Sequence, residues 1–221
     1  MKNVKRIISF ILVAAMLLGV AIIPAYAADE QPVESEPIVA RMYIGHRQHV
    51  DSTSGHTWIY IENLTKGSIN VGAVTLPKGK GVAVGTYGTT VEDGPGLYYN
   101  VESWRYRNLT ADDYIGLSKD LTASDLQKVS NKIINSNYWS YVLNCAYTAI
   151  KIWNSVPGQK LIYLYFPMLT KWQIAMKGDK TGFTMVDPAR DEIFKQIDNG
   201  DSVIAMPTSP DVVGEPIRGE E

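Results

Sequence analysis

Tyr141-Val-Leu-Asn-Cys-Ala-Tyr-Thr-Ala149 holds the only cysteine of the 221-residue chain and reads as the start of a helix. Asn144 is a favoured N-cap residue, because its short side-chain oxygen can accept the first free amides. Beyond it, Ala146, Ala149, Ile150 and Trp153 recur at helical spacing. Cys145 is thereby predicted on the first turn, where unpaired N–H groups and the helix dipole favour negative charge. That setting lowers a thiol's pKa and makes it a nucleophile. The base it needs is sought at His56, in Gly55-His-Thr-Trp-Ile-Tyr-Ile-Glu62.

This second stretch reads as a strand, being β-branched and aromatic after a glycine. Period two places His56, Trp58, Tyr60 and Glu62 on one face, and Thr57, Ile59 and Ile61 on the other. The His56 face is the expected helix-packing face, so that a helix laid across it brings Cys145 to His56. Further strands are predicted at Val39–Ile44, Ser68–Leu76, Val82–Thr86 and Leu97–Trp104, with a polar loop over Gly45–Gly55 and glycine-rich turns between. The pattern then becomes helical. Leu121–Ile134 carries a Thr122/Asp125 capping pair and apolar residues at Leu126, Val129, Ile133 and Ile134. The Cys145 helix is stopped by Pro157-Gly158, a short helix is expected within Leu161–Met176, and another over Arg190–Ile197 before the apolar run Val203–Met206. Strands first and helices second predict an α+β fold, an antiparallel sheet packed against helices.

The ends read differently. Met1-Lys-Asn-Val-Lys-Arg6 is basic, Ile7–Ile23 is almost wholly apolar, and Ala25-Tyr-Ala27 is a small-x-small cleavage site. Residues 1–27 are thus predicted to be a secretory signal peptide. No second long apolar run offers a membrane span, and no cysteine follows the first closely enough for a lipid anchor. Residues 28–38, acidic and proline-containing, are expected to be a disordered lead-in. A single domain follows over 39–206, mainly strands over 39–104 and mainly helices over 121–206, and 207–221 is a flexible tail. Loss of Lys2, Lys5 and Arg6 with the leader, which contains no acid, takes the net charge from −2 to −5. A mildly acidic exported domain has no electrostatic attraction to nucleic acid.

A lone thiol outside the reducing cytosol has no internal disulfide partner. It is a buried inert side chain, an intermolecular link or a reactive site. If it is reactive, a third group must orient the base. Asn70, on the strand after His56, is the leading choice; Glu102 and Asn100, on the later strand, are reserves. Glu62 lies too far along its own strand, at roughly 3.3 Å per residue. The Cys145 amide is the natural oxyanion donor, with a second sought in the approach from Tyr138 to Tyr141. His46, His49 and His56, with Asp51, are zinc-ligand types, but their intervals fit no metal spacing, so His46 and His49 are assigned to a surface loop. No metal or cofactor is expected. The tryptophans are expected to be mainly core, and the Asn63 and Asn108 sequons matter only in a glycosylating host.

A Gly-His-Thr strand followed much later by an Asn-Cys-Ala helix resembles the circularly permuted papain-like hydrolases of the NlpC type, a group that includes YiiX-like proteins and lecithin:retinol acyltransferase relatives. The permuted order has the histidine strand before the cysteine helix, as here. The resemblance covers roughly residues 39–156. It implies a permuted papain-like architecture, a Cys145 nucleophile, a His56 base and a third polar residue on the following strand, which supports Asn70 or Ser68. It further implies a secreted cysteine amidase or peptidase acting through a thioester, with cell-wall peptides as the leading substrate. The alternative is a binding module of the same fold that has lost its chemistry.

Overall fold

The computed structural model describes residues 35–47, 55–88, 94–109, 114–164, 166–177, 185, 192–198 and 202–206. The chain divides into two compact units, Met1–Ser35 and Glu36–Glu221, and every described helix and strand lies in the second. The predicted leader, most of the lead-in, the tail from 207 onward and His49 lie outside the described residues.

The main sheet is built from β1 (Ile38–Arg47), β2 (His56–Asn63), β5 (Gly81–Tyr87), β6 (Gly96–Tyr99), β7 (Ile115–Thr122), β8 (Ile193–Gln196) and β9 (Val203–Met206). These seven strands are antiparallel throughout, in the order β7-β1-β2-β5-β6-β8-β9. A separate hairpin pairs β3 (Ile69–Val71) with β4 (Val74–Leu76). The helices are α1 (Val101–Arg105), α2 (Ala123–Ile134), α3 (Cys145–Trp153) and α4 (Pro167–Lys177). The fold is therefore mixed α+β with a large antiparallel sheet.

Strand alternation sorts the side chains onto two faces. Met42, Ile44, Ile59, Ile61, Val82, Val84 and Leu97 point to one side and form the main core with Val129 and Ile133 of α2, Ile150 and Trp153 of α3 and Ile174 of α4. The other side carries Trp58, Tyr60 and Ala83 against Tyr106 and Tyr114. Beside them, Tyr87, Tyr98, Val101, Trp104, Ile193 and Met206 form a third cluster. α2 starts where its capping signal predicts, with Thr122 Oγ1 accepting from the Asp125 amide at 3.3 Å.

Several expectations are corrected. β1 continues to Arg47, so His46 lies in a strand and is buried, its Nδ1 2.8 Å from Thr57 Oγ1. Ser68–Leu76 is a hairpin turned at Gly72, whose φ of 58° favours glycine. Leu97–Trp104 is a strand that breaks at Asn100, in the left-handed region at φ 67°, into the short helix α1. Ile115–Thr122 adds a strand before α2, and Ile193–Gln196 is a strand where a helix was expected. The largest correction concerns the sheet's faces: α2, α3 and α4 pack on the Ile59/Ile61 face, opposite the one expected from His56.

Candidate active site

How α3 reaches a histidine on the far face follows from the ladder between β2 and β5. These strands pair from Glu62↔Gly81 to Ile59↔Val84, and there the register ends. β5 continues with β6 instead, through Gly85↔Tyr98 to Tyr87↔Gly96. The His56 end of β2 is thus released from β5. Thr57 has the same parity as Asn63, whose amide faces β5 and donates to Lys80 O at 2.9 Å. The Thr57 amide, which a continued ladder would have claimed, donates to the Cys145 sulfur instead. The N-terminus of α3 enters at this split, and Cys145 meets His56 there.

α3 begins where its cap requires. Asn144 is extended, and its Oδ1 accepts from the amides of Ala146 at 3.1 Å and Tyr147 at 3.3 Å. Thr148 N–H closes the first turn on Asn144 O at 3.1 Å. Cys145 sits at N1, buried, with 8% of its surface exposed. Burial pushes its thiol pKa up. The His56 charge and hydrogen bond, with the amides of Thr57 and Ala146, more than offset this, so the pKa is lowered overall.

His56 is bracketed on its other side by a carboxylate. Its Nε2 lies 2.9 Å from Glu102 Oε1, leaving Nδ1 for the thiol. Glu102 is wholly buried, and no hydrogen-bond partner meets its Oε2 among the described residues. Trp58 stacks on the imidazole with ring centres 5.9 Å apart and planes at 10°, and Tyr87 tilts onto it at 4.7 Å. Burial alone would lower the imidazole's pKa. The Cys145 charge and hydrogen bond, followed by those of Glu102, instead push it up to about 9. The lowered thiol and the raised imidazole each favour the charged form of the other. The Tyr87 phenol is pushed well above its usual pKa by burial and by the Glu102 charge, so it stays protonated beside the carboxylate.

Gly85 makes room for this contact. A Cβ there would lie 1.8 Å from Glu102 Oε1 and 3.2 Å from His56 Nε2, so the strand passes directly beneath the His–Glu bond.

His56 and Cys145 come together; Asn70 does not join them. It is exposed on β3, where its Oδ1 accepts from Thr75 Oγ1 at 3.1 Å, and Ser68 is exposed beside it. The reason is topological: Ile69–Leu76 leaves the main sheet as a hairpin, so β5, not β3, is the neighbour of β2. The orienting position falls to Glu102, reached by way of α1. Asn100, the other reserve, turns its Nδ2 to Glu192 O at 3.0 Å. Gly85 and Tyr87 carried no signal of their own in the sequence, since their roles depend on which strand lies beside which.

Of the first-turn amides, Asn144 Oδ1 accepts those of Ala146 and Tyr147 and not that of Cys145. In the approach segment, Ser140 N–H donates to Leu143 O and Leu143 N–H to Ser140 Oγ, so those two amides are engaged locally. Among the described residues no three His, Cys, Asp or Glu side chains converge as a metal site.

No family model, curated protein or solved structure matches the chain.

Proposed function

We propose that the chain is a secreted thiol-dependent amidase or peptidase of permuted papain-like architecture. The observation that carries this reading is the imidazole of His56 held between Cys145, at a helix N-terminus, and the buried carboxylate of Glu102. Glu102 accepts from Nε2–H and fixes the tautomer in which Nδ1 takes the thiol proton. The thiolate attacks the amide carbonyl, and the developing oxyanion turns to the Cys145 amide. The imidazolium returns its proton to the leaving amine, giving a thioester. His56 then draws a proton from water, which attacks the thioester and releases Cys145. Peptide stems or cross-links of the cell wall are the substrate class favoured by the leader at residues 1–27 and by the family resemblance.

The test is the alkylation rate of Cys145 by iodoacetamide against pH, in the wild-type chain and in His56→Ala and Glu102→Gln. An apparent pKa well below the ~8.5 of a free thiol, moved upward in both variants, supports the pair. The low exposure of Cys145 favours the rival reading, a binding module that has kept the fold without its chemistry. A thiol that resists labelling until the protein is denatured selects that rival.

A further inference from the structure

α4 has its polarity reversed. The face it turns to the core includes Thr170 and Gln173, both buried, beside Ile174. Its outward stripe is Met168, Trp172 and Met176, one turn apart, with Trp172 63% and Met176 59% exposed. A helix packed on a core and otherwise facing water shows the opposite arrangement. The inversion is built in: Gln173 donates through Nε2 to Ile162 O and accepts at Oε1 from Ile162 N–H at 2.8 Å. That clasp holds the preceding segment with Ile162 turned outward, 67% exposed, and Phe166 is equally exposed at the head of the helix. Tyr163 extends the surface by donating its hydroxyl to Val142 O, in the approach to Cys145, where Tyr141 is 87% exposed. Three segments linked by hydrogen bonds thus present one apolar, aromatic face.

The segment that builds this face is basic in sequence. From Tyr138 to Gly178 there is no Asp or Glu, and the segment carries Lys151, Lys160, Lys171 and Lys177, in a chain whose net charge is −2. Trp, Phe, Met and Ile facing outward, from a segment that carries lysines and no carboxylate, suit a layer with an apolar interior and an anionic surface. Against a neutral apolar protein partner the excess of lysine has no purpose, and against a hydrated anionic polymer the apolar stripe has none.

We propose that this face docks the protein on an anionic lipid surface, with Phe166, Trp172 and Met176 entering the interface. The proposal does not depend on Cys145 being a nucleophile.

The test is fluorescence quenching by brominated lipid, using the full chain. The predicted leader contains no tryptophan, Trp58, Trp104 and Trp153 are buried and Trp139 is half-buried, so Trp172 is the most exposed emitter and its replacement assigns the quenching to this face. Vesicles of brominated phosphatidylcholine with phosphatidylglycerol should quench the emission roughly threefold more than brominated phosphatidylcholine alone, and about 0.5 M salt should remove most of that difference. Trp172→Phe should lose most of the quenching, and so should the exposed-site triple variant Phe166→Ser, Met168→Ser, Trp172→Ser. Three results overturn the proposal: no quenching on either vesicle, equal quenching on both, or a quenching signal unchanged in Trp172→Phe. Shielding of Trp172 by self-association without lipid, seen by sedimentation velocity, also overturns it and assigns the face to a second copy.

Discussion

Glu102 is a wholly buried carboxylate that meets the His56 imidazole at 2.9 Å, with the Tyr87 phenol beside it. A carboxylate in that position is tolerated because the ring beside it carries positive charge, and removing either partner leaves the other uncompensated. Glu102→Gln keeps the shape and removes the charge. The imidazolium is then less stable, so the pKa of His56 falls from about 9, and the thiolate loses part of its counter-charge. Under the proposed chemistry, kcat/KM rises as Cys145 ionises and falls as His56 loses the proton destined for the leaving amine. The falling limb therefore lies near 9 in the wild type, and in Glu102→Gln it should move down by about one pH unit or more. Asn70→Ala, on the exposed hairpin, should leave both limbs in place. Gly85→Ala tests the same bond from the strand beneath it: the added Cβ, 1.8 Å from Glu102 Oε1, must displace the carboxylate. The expected result is alkylation of Cys145 slowed at pH 6 by roughly tenfold, with the apparent thiol pKa raised. A Gly85→Ala variant that labels like the wild type would show that Glu102 does not support the pair.

At the scale of the element, the start of α3 has two separable duties, to cap a helix and to stabilise a thiolate. Asn144 Oδ1 satisfies the amides of Ala146 and Tyr147. Asn144→Ala should cost about 1 kcal/mol in urea denaturation, as lost N-caps do. Asn144→Asp keeps the cap but sets a negative charge beside the thiol. It should therefore retain most of the stability while raising the thiol pKa in alkylation profiles, which separates the two duties. This helix was legible in the sequence because its cap, its cysteine and its apolar spacing all lie within one short stretch. β2 was legible for the same reason. Elements defined by their neighbours were not. Ile193, Phe194 and Ile197 fit helical spacing as well as strand, and pairing with β6 and β9 decides for strand. β7 interrupts its apolar residues with Ser118, Lys119 and Asp120, as an edge strand can. α1, only five residues long, is too short to show a period and is hidden in an apolar aromatic run. Glu102 therefore stands in the sequence only as a reserve, on what reads as a continuous strand. The pairing of His56 with Cys145 could be named from the sequence; the face on which they meet could not, because it depends on where β2 and β5 part.

Across the whole molecule, the last third of the chain, for which the sequence offered no role, joins parts that are distant in sequence. β8 pairs with β6, and its Gln196 is wholly buried. Gln196 Oε1 accepts from the Tyr99 hydroxyl at 2.8 Å, and its Nε2 donates to Ile134 O at 2.6 Å, at the end of α2, and to Asp198 O at 2.8 Å. The Tyr99 hydroxyl in turn accepts from the Ala73 amide at 3.2 Å, in the turn of the β3–β4 hairpin. Gly72 lets that turn approach, since a Cβ there would lie 2.5 Å from Tyr99 Oη. Sheet, hairpin and α2 therefore share one buried polar junction, and Tyr99 leads directly into Asn100 and α1, which carries Glu102. Truncating Gln196 strands the Ile134 carbonyl and removes the acceptor for the Tyr99 hydroxyl. Each unsatisfied buried group costs about 1–3 kcal/mol, so Gln196→Ala should lose about 2–4 kcal/mol in urea denaturation. Tyr99→Phe removes the hydroxyl from the other side and leaves Gln196 Oε1 and the Ala73 amide unpaired. In a double-mutant cycle the combined loss should fall short of the sum by about 1 kcal/mol, because the two side chains share one bond. Strict additivity would show that they act independently. Because the junction lies beyond α1 and not in the His–Cys pair, Gln196→Ala should keep the low thiol pKa of the folded protein even as its midpoint falls. A raised thiol pKa in the still-folded variant would show instead that α1, and Glu102 with it, is held in place from β8.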